Sequence, residues 1–361
     1  MFTVMSPSST AAAFEKELRR KARETGTPLI GGFELTGRCN FDCKMCYVHT
    51  MDNEYARAHE LSTEQWIQIM DAAYDEGMLY AVISGGECLL RPDFKEIYLH
   101  LFNKGVRVSV LTNGSLLTDE YIDFFSKYKP RQLQISLYGS SNDVYERVTG
   151  SRSYDKIRKV LKALLEQKIN LRVAVTPNRF LLDDVENIIT FLEKSKIDYA
   201  VNPYLIAPRE GITRDGFEIN ESEILEVLRI LNQARGKTSV PVDPNDIPKA
   251  GGSCETVING MECSAGVFRF AITWDGYMVP CVSITSPRIN VVEDGFHKSW
   301  LAIRENDKKT VQARECIECP YKSVCVKCPV IRYKDLYCGH CNEDICHLTV
   351  SKVQAGITKW K

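Results

Sequence analysis

The sequence predicts an α/β fold, a partial (β/α)6 TIM-like barrel followed by a smaller Cys-rich domain. Three observations carry that expectation. Strand-like and helix-like runs alternate six times between residues 32 and 205, which implies a parallel sheet with right-handed crossovers. Six units fall short of the eight that close a barrel, so the sheet should stay open, with functional residues at the carboxyl ends of its strands. From about Gly252 the composition changes: ten of the 14 cysteines lie between Cys254 and Cys346, among many turns.

The strands are expected at 32–35, 79–84, 106–112, 132–137, 170–176 and 198–205, and the intervening helices at 63–76, 93–104, 119–127, 154–167 and 184–194. Ser62, with Gln65 three residues on, reads as a capping box. Gly77 and Gly105 stand where helices should end. A charged helix at 13–25 precedes the first strand, and a further helix at 221–234 leads into a linker with Pro241, Pro244 and Pro248. The expected division is an N-terminal helical extension at 1–30, a barrel with linker at 31–250 and a Cys-rich domain at 251–361.

The chain has 361 residues, 44% hydrophobic and 26% charged, with a formal net charge of −1. That balance offers no basic footprint for nucleic acid. No apolar run approaches the ~18 residues of a membrane span, and the N-terminus has no secretory h-region, so the expected compartment is the cytoplasm. There, short Cys spacings favour metal ligation over disulfides.

Cys39, Cys43 and Cys46 form a C-x3-C-x2-C cluster in ELTGRCNFDCKMCY, directly after the first strand. Three thiolates can hold three irons of a [4Fe–4S] cube, whose usual complement is four, and leave one iron open. A structural zinc with His49 as fourth ligand is the alternative. The second strand ends in Ser84-Gly85-Gly86-Glu87, where paired glycines permit close backbone approach and a carboxylate can accept from an ammonium.

These motifs resemble those of the radical S-adenosylmethionine (SAM) superfamily: the cysteine spacing with the adjacent aromatic Tyr47, and the GGE turn in ISGGECLLRPDF. The resemblance implies that the open iron chelates the methionine moiety of SAM, and that electron transfer then breaks a C–S bond to give a 5′-deoxyadenosyl radical. It implies SAM contacts from Tyr47, Gly85, Gly86, Glu87, Asn113, Ser136 and Arg147, with Glu87 receiving the methionine amino group. One departure stands out, Cys88 where the family usually has Pro; a thiol there could donate hydrogen to a radical, or be a neutral replacement.

In the C-terminal region Cys263 is followed by twelve residues, Gly276, four more and Cys281, then by Cys316-x2-Cys319-x5-Cys325-x2-Cys328 and late cysteines. This resembles the SPASM domain, which carries two auxiliary [4Fe–4S] clusters, although the last interval of the run is one residue shorter than usual. A zinc ribbon would want roughly 15–20 residues between its CxxC pairs. By the resemblance, the nearer cluster takes Cys254, Cys263, Cys281 and Cys328. The distal cluster takes Cys316, Cys319, Cys325 and Cys346, with Cys338 and Cys341 as competitors for the last place.

SPASM-bearing relatives mostly modify ribosomally made peptides by thioether or C–C crosslinking, oxidation or epimerisation, so a peptide substrate is expected, with a flavodoxin or ferredoxin-type electron donor. Val282 and Cys325 stand where sulfatase-maturing and pyrroloquinoline-type branches use Asp. The ~30 residues before the first strand are too few for a leader-binding domain, so leader recognition would fall to another chain or to the barrel. Arg209, Glu210 and Arg214, after the sixth strand, could anchor a charged substrate. The alternatives are radical oxidation or rearrangement of a small molecule in cofactor or natural-product biosynthesis, and a non-enzymatic iron–sulfur electron carrier.

Overall fold

The computed structural model describes residues 9–43, 45–48, 53–205, 216–239, 241–242, 257–259, 263–333, 336 and 341–358. The barrel half runs α1 (Ser9–Thr25), β1 (Ile30–Glu34), α2 (Asn53–His59), α3 (Thr63–Asp75), β2 (Tyr80–Ser84), α4 (Phe94–Asn103), β3 (Arg107–Thr112) and α5 (Asp119–Lys127). It continues through β4 (Gln132–Ser136), α6 (Asn142–Thr149), α7 (Tyr154–Glu166), β5 (Leu171–Val175), α8 (Val185–Lys194), β6 (Asp198–Val201) and α9 (Glu221–Ala234). The C-terminal part contributes β7 (Val257–Asn259), β8 (Arg269–Ile272), β9 (Tyr277–Val279), β10 (Ile289–Asn290), α10 (Val291–Asp294) and α11 (Phe296–Asp307). It ends with β11 (Val311–Ala313), α12 (Arg314–Glu318), α13 (Pro329–Arg332) and α14 (Glu343–Gln354).

Helix α3 shows how the sequence builds these elements. Ser62 accepts from the Gln65 backbone, while the Gln65 side chain accepts from the Ser62 N–H, closing the expected capping box. Trp66, Ile69, Met70 and Ala73, spaced to share one helical face, are buried. The Phe33 ring of β1 meets Trp66 and Phe270 edge-on, at centroid distances of 6.1 and 5.9 Å. Gly77 and Gly105 take the positive φ values, +103° and +80°, that the ends of α3 and α4 require.

The six strands pair in parallel and in sequence order, as an open α/β partial barrel. The sheet does not end at β1. Strand β8 pairs in parallel with β1, Ile30 opposite Arg269 through Phe33 opposite Ile272. Strands β9 and β10 then extend it antiparallel, giving nine strands in the order β10-β9-β8-β1-β2-β3-β4-β5-β6. The sheet therefore runs across the expected boundary at residue 250. At the turn between β8 and β9, Trp274 lies where a Cβ on Gly37 would be 2.9 Å from its ring.

Two features fix the loop that follows β1. Ladder bonding between β1 and β2 continues past both strand ends: Gly86 N–H donates to the Thr36 carbonyl and Glu87 N–H to the Arg38 carbonyl, each at 2.8 Å. A Cβ on Gly85 would stand 2.5 Å from the Thr36 oxygen, and one on Gly86 2.3 Å from the Arg38 oxygen. The paired glycines thus admit the chain's own backbone. Beneath the loop, Arg38 makes a bidentate pair with Glu60 at 2.6 and 3.2 Å, and the Thr36 hydroxyl donates to the same carboxylate at 2.6 Å. Arg91 donates to the carbonyls of Leu35 and Leu61 at 3.1 and 2.9 Å and pairs with Asp93 at 2.6 Å. Burial strengthens charge-assisted bonds of this kind and makes a missing partner costly; the Arg38 and Glu60 side chains are 12% and 11% exposed.

Replacing Glu60 by Gln should therefore cost on the order of 3 kcal/mol, read as a lower urea midpoint by circular dichroism. Gly86→Ala should lower the midpoint further than Gly105→Ala. The latter meets nothing within 4 Å and carries only the strain of a positive φ, about 1 kcal/mol.

Candidate metal centre and cofactor site

The chemistry-bearing residues of the barrel gather at the carboxyl ends of β1 to β4. Cys39, Cys43 and Cys46 lie on the loop after β1, which is held on several sides. Asp42 N–H donates to the Thr149 carbonyl of α6 at 2.9 Å, and Asn53 of α2 exchanges hydrogen bonds with the Cys39 backbone at 3.3 and 3.2 Å. The Phe41 ring packs edge-on against Tyr145. Two donors face the Cys39 sulfur: the Phe41 N–H at 3.4 Å and, farther off, the Asn113 amide at 3.9 Å. The Tyr138 side chain hydrogen-bonds to Cys43.

Burial pushes the Cys39 thiol up to about 12, with Glu87 and Cys46 adding to the rise. Burial likewise pushes Cys43 well above its ordinary value, with Cys46 and Cys39 reinforcing it. The three sulfurs are close enough to act on one another, and their thiolate form requires a cation in place of lost water. Among the described residues no three Cys, His, Asp or Glu side chains converge as they would on a single ion. An all-sulfur set with N–H and O–H donors aimed at it fits a cluster whose properties depend on such bonds.

Glu87 is fully buried. Its Oε1 accepts from the Thr112 hydroxyl at 2.7 Å and the Leu89 N–H at 3.1 Å, and its Oε2 from the Asn113 N–H at 2.7 Å. Burial raises its pKa while those donors oppose the rise. The carboxylate that the GGE resemblance assigns to the methionine amino group thus also braces β2 against β3. Asn113 passes the connection on, donating to Asn40 in the cysteine loop at 2.9 Å. Ser115 closes the ring, receiving from Asn40 at 2.8 Å and donating to Asn113 at 2.6 Å.

The remaining expected residues divide. Tyr47 is half-buried in the cysteine loop. Ser136 ends β4, half-buried, its carbonyl accepting from the Tyr145 hydroxyl at 3.2 Å. Arg147 is exposed on the last turn of α6, apart from the ring just described. Cys88 is fully buried and its thiol donates to the Leu111 carbonyl at 3.4 Å. The same thiol lies 3.9 Å from the Glu87 carboxylate, packed in the core beneath the cysteine loop. His49, Arg209, Glu210, Arg214, Cys254 and Cys338 lie outside the described residues. Sequence reasoning missed Asn40, Asn53, Glu60, Ser115 and Tyr138. Only Asn40, inside the motif, and Tyr138, two residues after Ser136, carried a signal of position.

Two further sulfur groups lie in the C-terminal part. Cys263, Cys281 and Cys328 influence one another, and Arg269 faces the first two. Cys319, Cys325 and Cys346 form the second group. Beside the latter, Lys352 is buried with a single hydrogen bond among the described residues, to the Tyr204 hydroxyl at 3.4 Å. A buried ammonium so poorly partnered calls for an anion, which a thiolate-ligated cluster supplies. Cys316 and Cys341 lie sulfur against sulfur, which brings an expected ligand and one of the competitors for the last place together. The chain there returns antiparallel onto α13, with Tyr333 opposite Cys341 and the Asn342 N–H donating to the Arg332 carbonyl at 2.8 Å. The Cα atoms of the two cysteines stand 7.3 Å apart, beyond the ~4.4–6.8 Å common for disulfides.

No helix among the described residues is long and apolar enough to cross a membrane. Comparison with known proteins agrees with the geometry. The model of the radical SAM superfamily matches residues 33–192. The sporulation killing factor maturation protein SkfB of Bacillus subtilis is 27% identical over 277 residues, 74% of this chain, which spans 64% of SkfB's length. The AdoMet-dependent heme synthase of Methanosarcina barkeri is 22% identical over 86% of this chain and 93% of its own. Among solved structures, Streptococcus suis SuiB bound to S-adenosylmethionine superposes with a TM-score of 0.64, at 16% identity, over 96% of this chain and 84% of SuiB; SuiB has also been solved with its precursor peptide SuiA. Residues 33–192 thus form a radical SAM domain, and a Cys-rich C-terminal region follows it.

Proposed function

We propose that this chain is a radical SAM enzyme that modifies a ribosomally made peptide, by crosslinking, oxidation or epimerisation. The observation that carries the reading is the closed ring of hydrogen bonds from the cysteine loop through Glu87 and Asn113 back to Asn40. It fixes three thiols at the mouth of the barrel before anything binds. A four-iron cluster held there would supply the electron for reductive cleavage of SAM, the chemistry that removes a substrate hydrogen. Cys39, Cys43 and Cys46 hold three irons. Asn113 and the Phe41 N–H steady the Cys39 sulfur, and Tyr138 the Cys43 sulfur. Tyr47, Gly85, Gly86, Glu87, Asn113, Ser136 and Arg147 serve the SAM site, Glu87 also bracing it from within.

The auxiliary clusters take Cys254, Cys263, Cys281 and Cys328, and Cys316, Cys319, Cys325 and Cys346, with Cys338 and Cys341 as competitors for the last place. The peptide substrate is supported by SkfB and SuiB, the electron donor being a flavodoxin or ferredoxin type. A second reading, a small-molecule substrate, is favoured by the near full-length match to the heme synthase.

Anaerobic reconstitution should give about twelve iron per chain, as three four-iron clusters require, and dithionite with SAM should yield 5′-deoxyadenosine. Cys43→Ala should abolish that product and lose about four iron. Product formation undiminished in Cys43→Ala would remove the N-terminal assignment; parent iron near four would remove the auxiliary one.

A further inference from the structure

Cys346, Thr349 and Lys352 recur at three-residue spacing on α14 and so share one face. That face meets Cys325: the Thr349 hydroxyl donates to the Ile345 carbonyl at 2.7 Å and stands 3.7 Å from the Cys325 sulfur. One turn on, Lys352 is only 6% exposed. Its Nζ has no carboxylate partner among the described residues, and its one hydrogen bond goes to Tyr204, on the barrel segment after β6.

The electrostatics run between these groups. Burial pulls the Lys352 ammonium below its ordinary pKa, and Cys325 opposes that pull. Burial pushes Tyr204 up to about 12, with Cys325 adding to the rise, so the tyrosine stays a neutral hydroxyl. Arg332 also acts on Cys346, while Glu343 acts in the opposite sense. Unlike Arg332, which donates to the Val326 carbonyl at 2.8 Å, Lys352 has no strong acceptor of its own. A barrel tyrosine and a C-terminal helix thus hold a cation at the second sulfur group.

We propose that the Lys352 ammonium is the counter-charge of the distal auxiliary cluster and holds its reduction potential above the value it would have beside a neutral side chain. The proposal rests on the auxiliary-cluster reading given above. A four-iron cluster with four thiolates goes from a net charge of about −2 to about −3 on taking up one electron, here from dithionite, with no proton moved. A fixed cation stabilises the more negative state, and burial keeps solvent ions from screening it. Lys352 is accordingly a positioning residue, acting through the cluster and not on substrate.

The test is an EPR-monitored redox titration of the anaerobically reconstituted protein, with iron counted in each sample, for the parent, Lys352→Arg, Lys352→Gln and Lys352→Met. In Lys352→Gln and Lys352→Met one auxiliary signal should move to lower potential while the other two keep theirs, and Lys352→Arg should stay near the parent. If the neutral variants instead lose about four iron and Lys352→Arg retains it, the charge is needed to hold the cluster and the proposal stands. Parent-like potentials in Lys352→Gln with full iron would overturn it. Equal damage in Lys352→Arg would do so as well, since packing and not charge would then be at fault. Parent iron near four would instead remove the auxiliary-cluster reading on which the proposal rests.

Discussion

The contact on which the site depends is backbone against backbone: the Gly85-Gly86 turn lying on the carbonyls of Thr36 and Arg38. No other residue pair could take that place, since a Cβ on either glycine would fall within 2.5 Å of a carbonyl oxygen. The approach carries the β1–β2 ladder beyond the strands and seats the cysteine loop directly on the GGE turn. From there the Glu87 carboxylate reaches Thr112 and Asn113 on β3, and the Asn113 amide returns to Asn40 beside Cys39. Three strand ends are linked in one circuit, so displacing one disturbs the others. Buried networks of this kind are stiff because each unsatisfied member would be expensive.

The circuit changes the roles of familiar residues. The paired glycines serve first to let the chain approach itself. The acidic residue serves first as a strut, receiving three hydrogen bonds while fully buried. The motif's assignments place these groups toward a ligand, and the internal role is compatible with that one. A motif preserves residue type and spacing, and a carboxylate that braces a turn looks the same in sequence as one that meets an ammonium.

Legibility followed the range of the interactions. The alternation of strands and helices, the Ser62–Gln65 capping box and the helix ends at Gly77 and Gly105 rest on contacts within a few residues, and the structure repeats them. Helix α9 spans 221–234 as read, while β6 stops at Val201, short of the expected 205. Helices α2 and α6 were missed, the first following a cysteine loop and the second packed into the site by Phe41 and Tyr145. The parallel pairing of β8 with β1 joins residues more than two hundred positions apart, and no local period announces it. Beneath the loop an ion pair joins Arg38 to Glu60 and a hydrogen bond joins Arg91 to the Leu35 carbonyl. Each residue alone reads as an ordinary surface charge, and only the fold shows that they are buried together.

The same distinction bears on the three sulfur groups. Their cysteines look alike in sequence, but their surroundings differ in charge. Around Cys39 and Cys43 the buried polar neighbours are amide, hydroxyl and carboxyl groups, with Glu87 acting on Cys39. Beside Cys263 and Cys281 stands Arg269, and beside Cys325 stands Lys352. Since cluster potentials follow net charge and hydrogen bonding at the sulfurs, identical clusters in these places would not be equally easy to reduce. The cationic surroundings would favour the reduced form of clusters held at the C-terminal pair. At the N-terminal site the guanidinium of Arg38, beside Cys39, is neutralised by Glu60, so a cluster there would give its electron up more readily, which is the direction that reductive cleavage of a sulfonium requires. On the proposed assignment, the order of potentials along the chain would be set less by the cysteines than by an arginine on β8 and a lysine on the last helix.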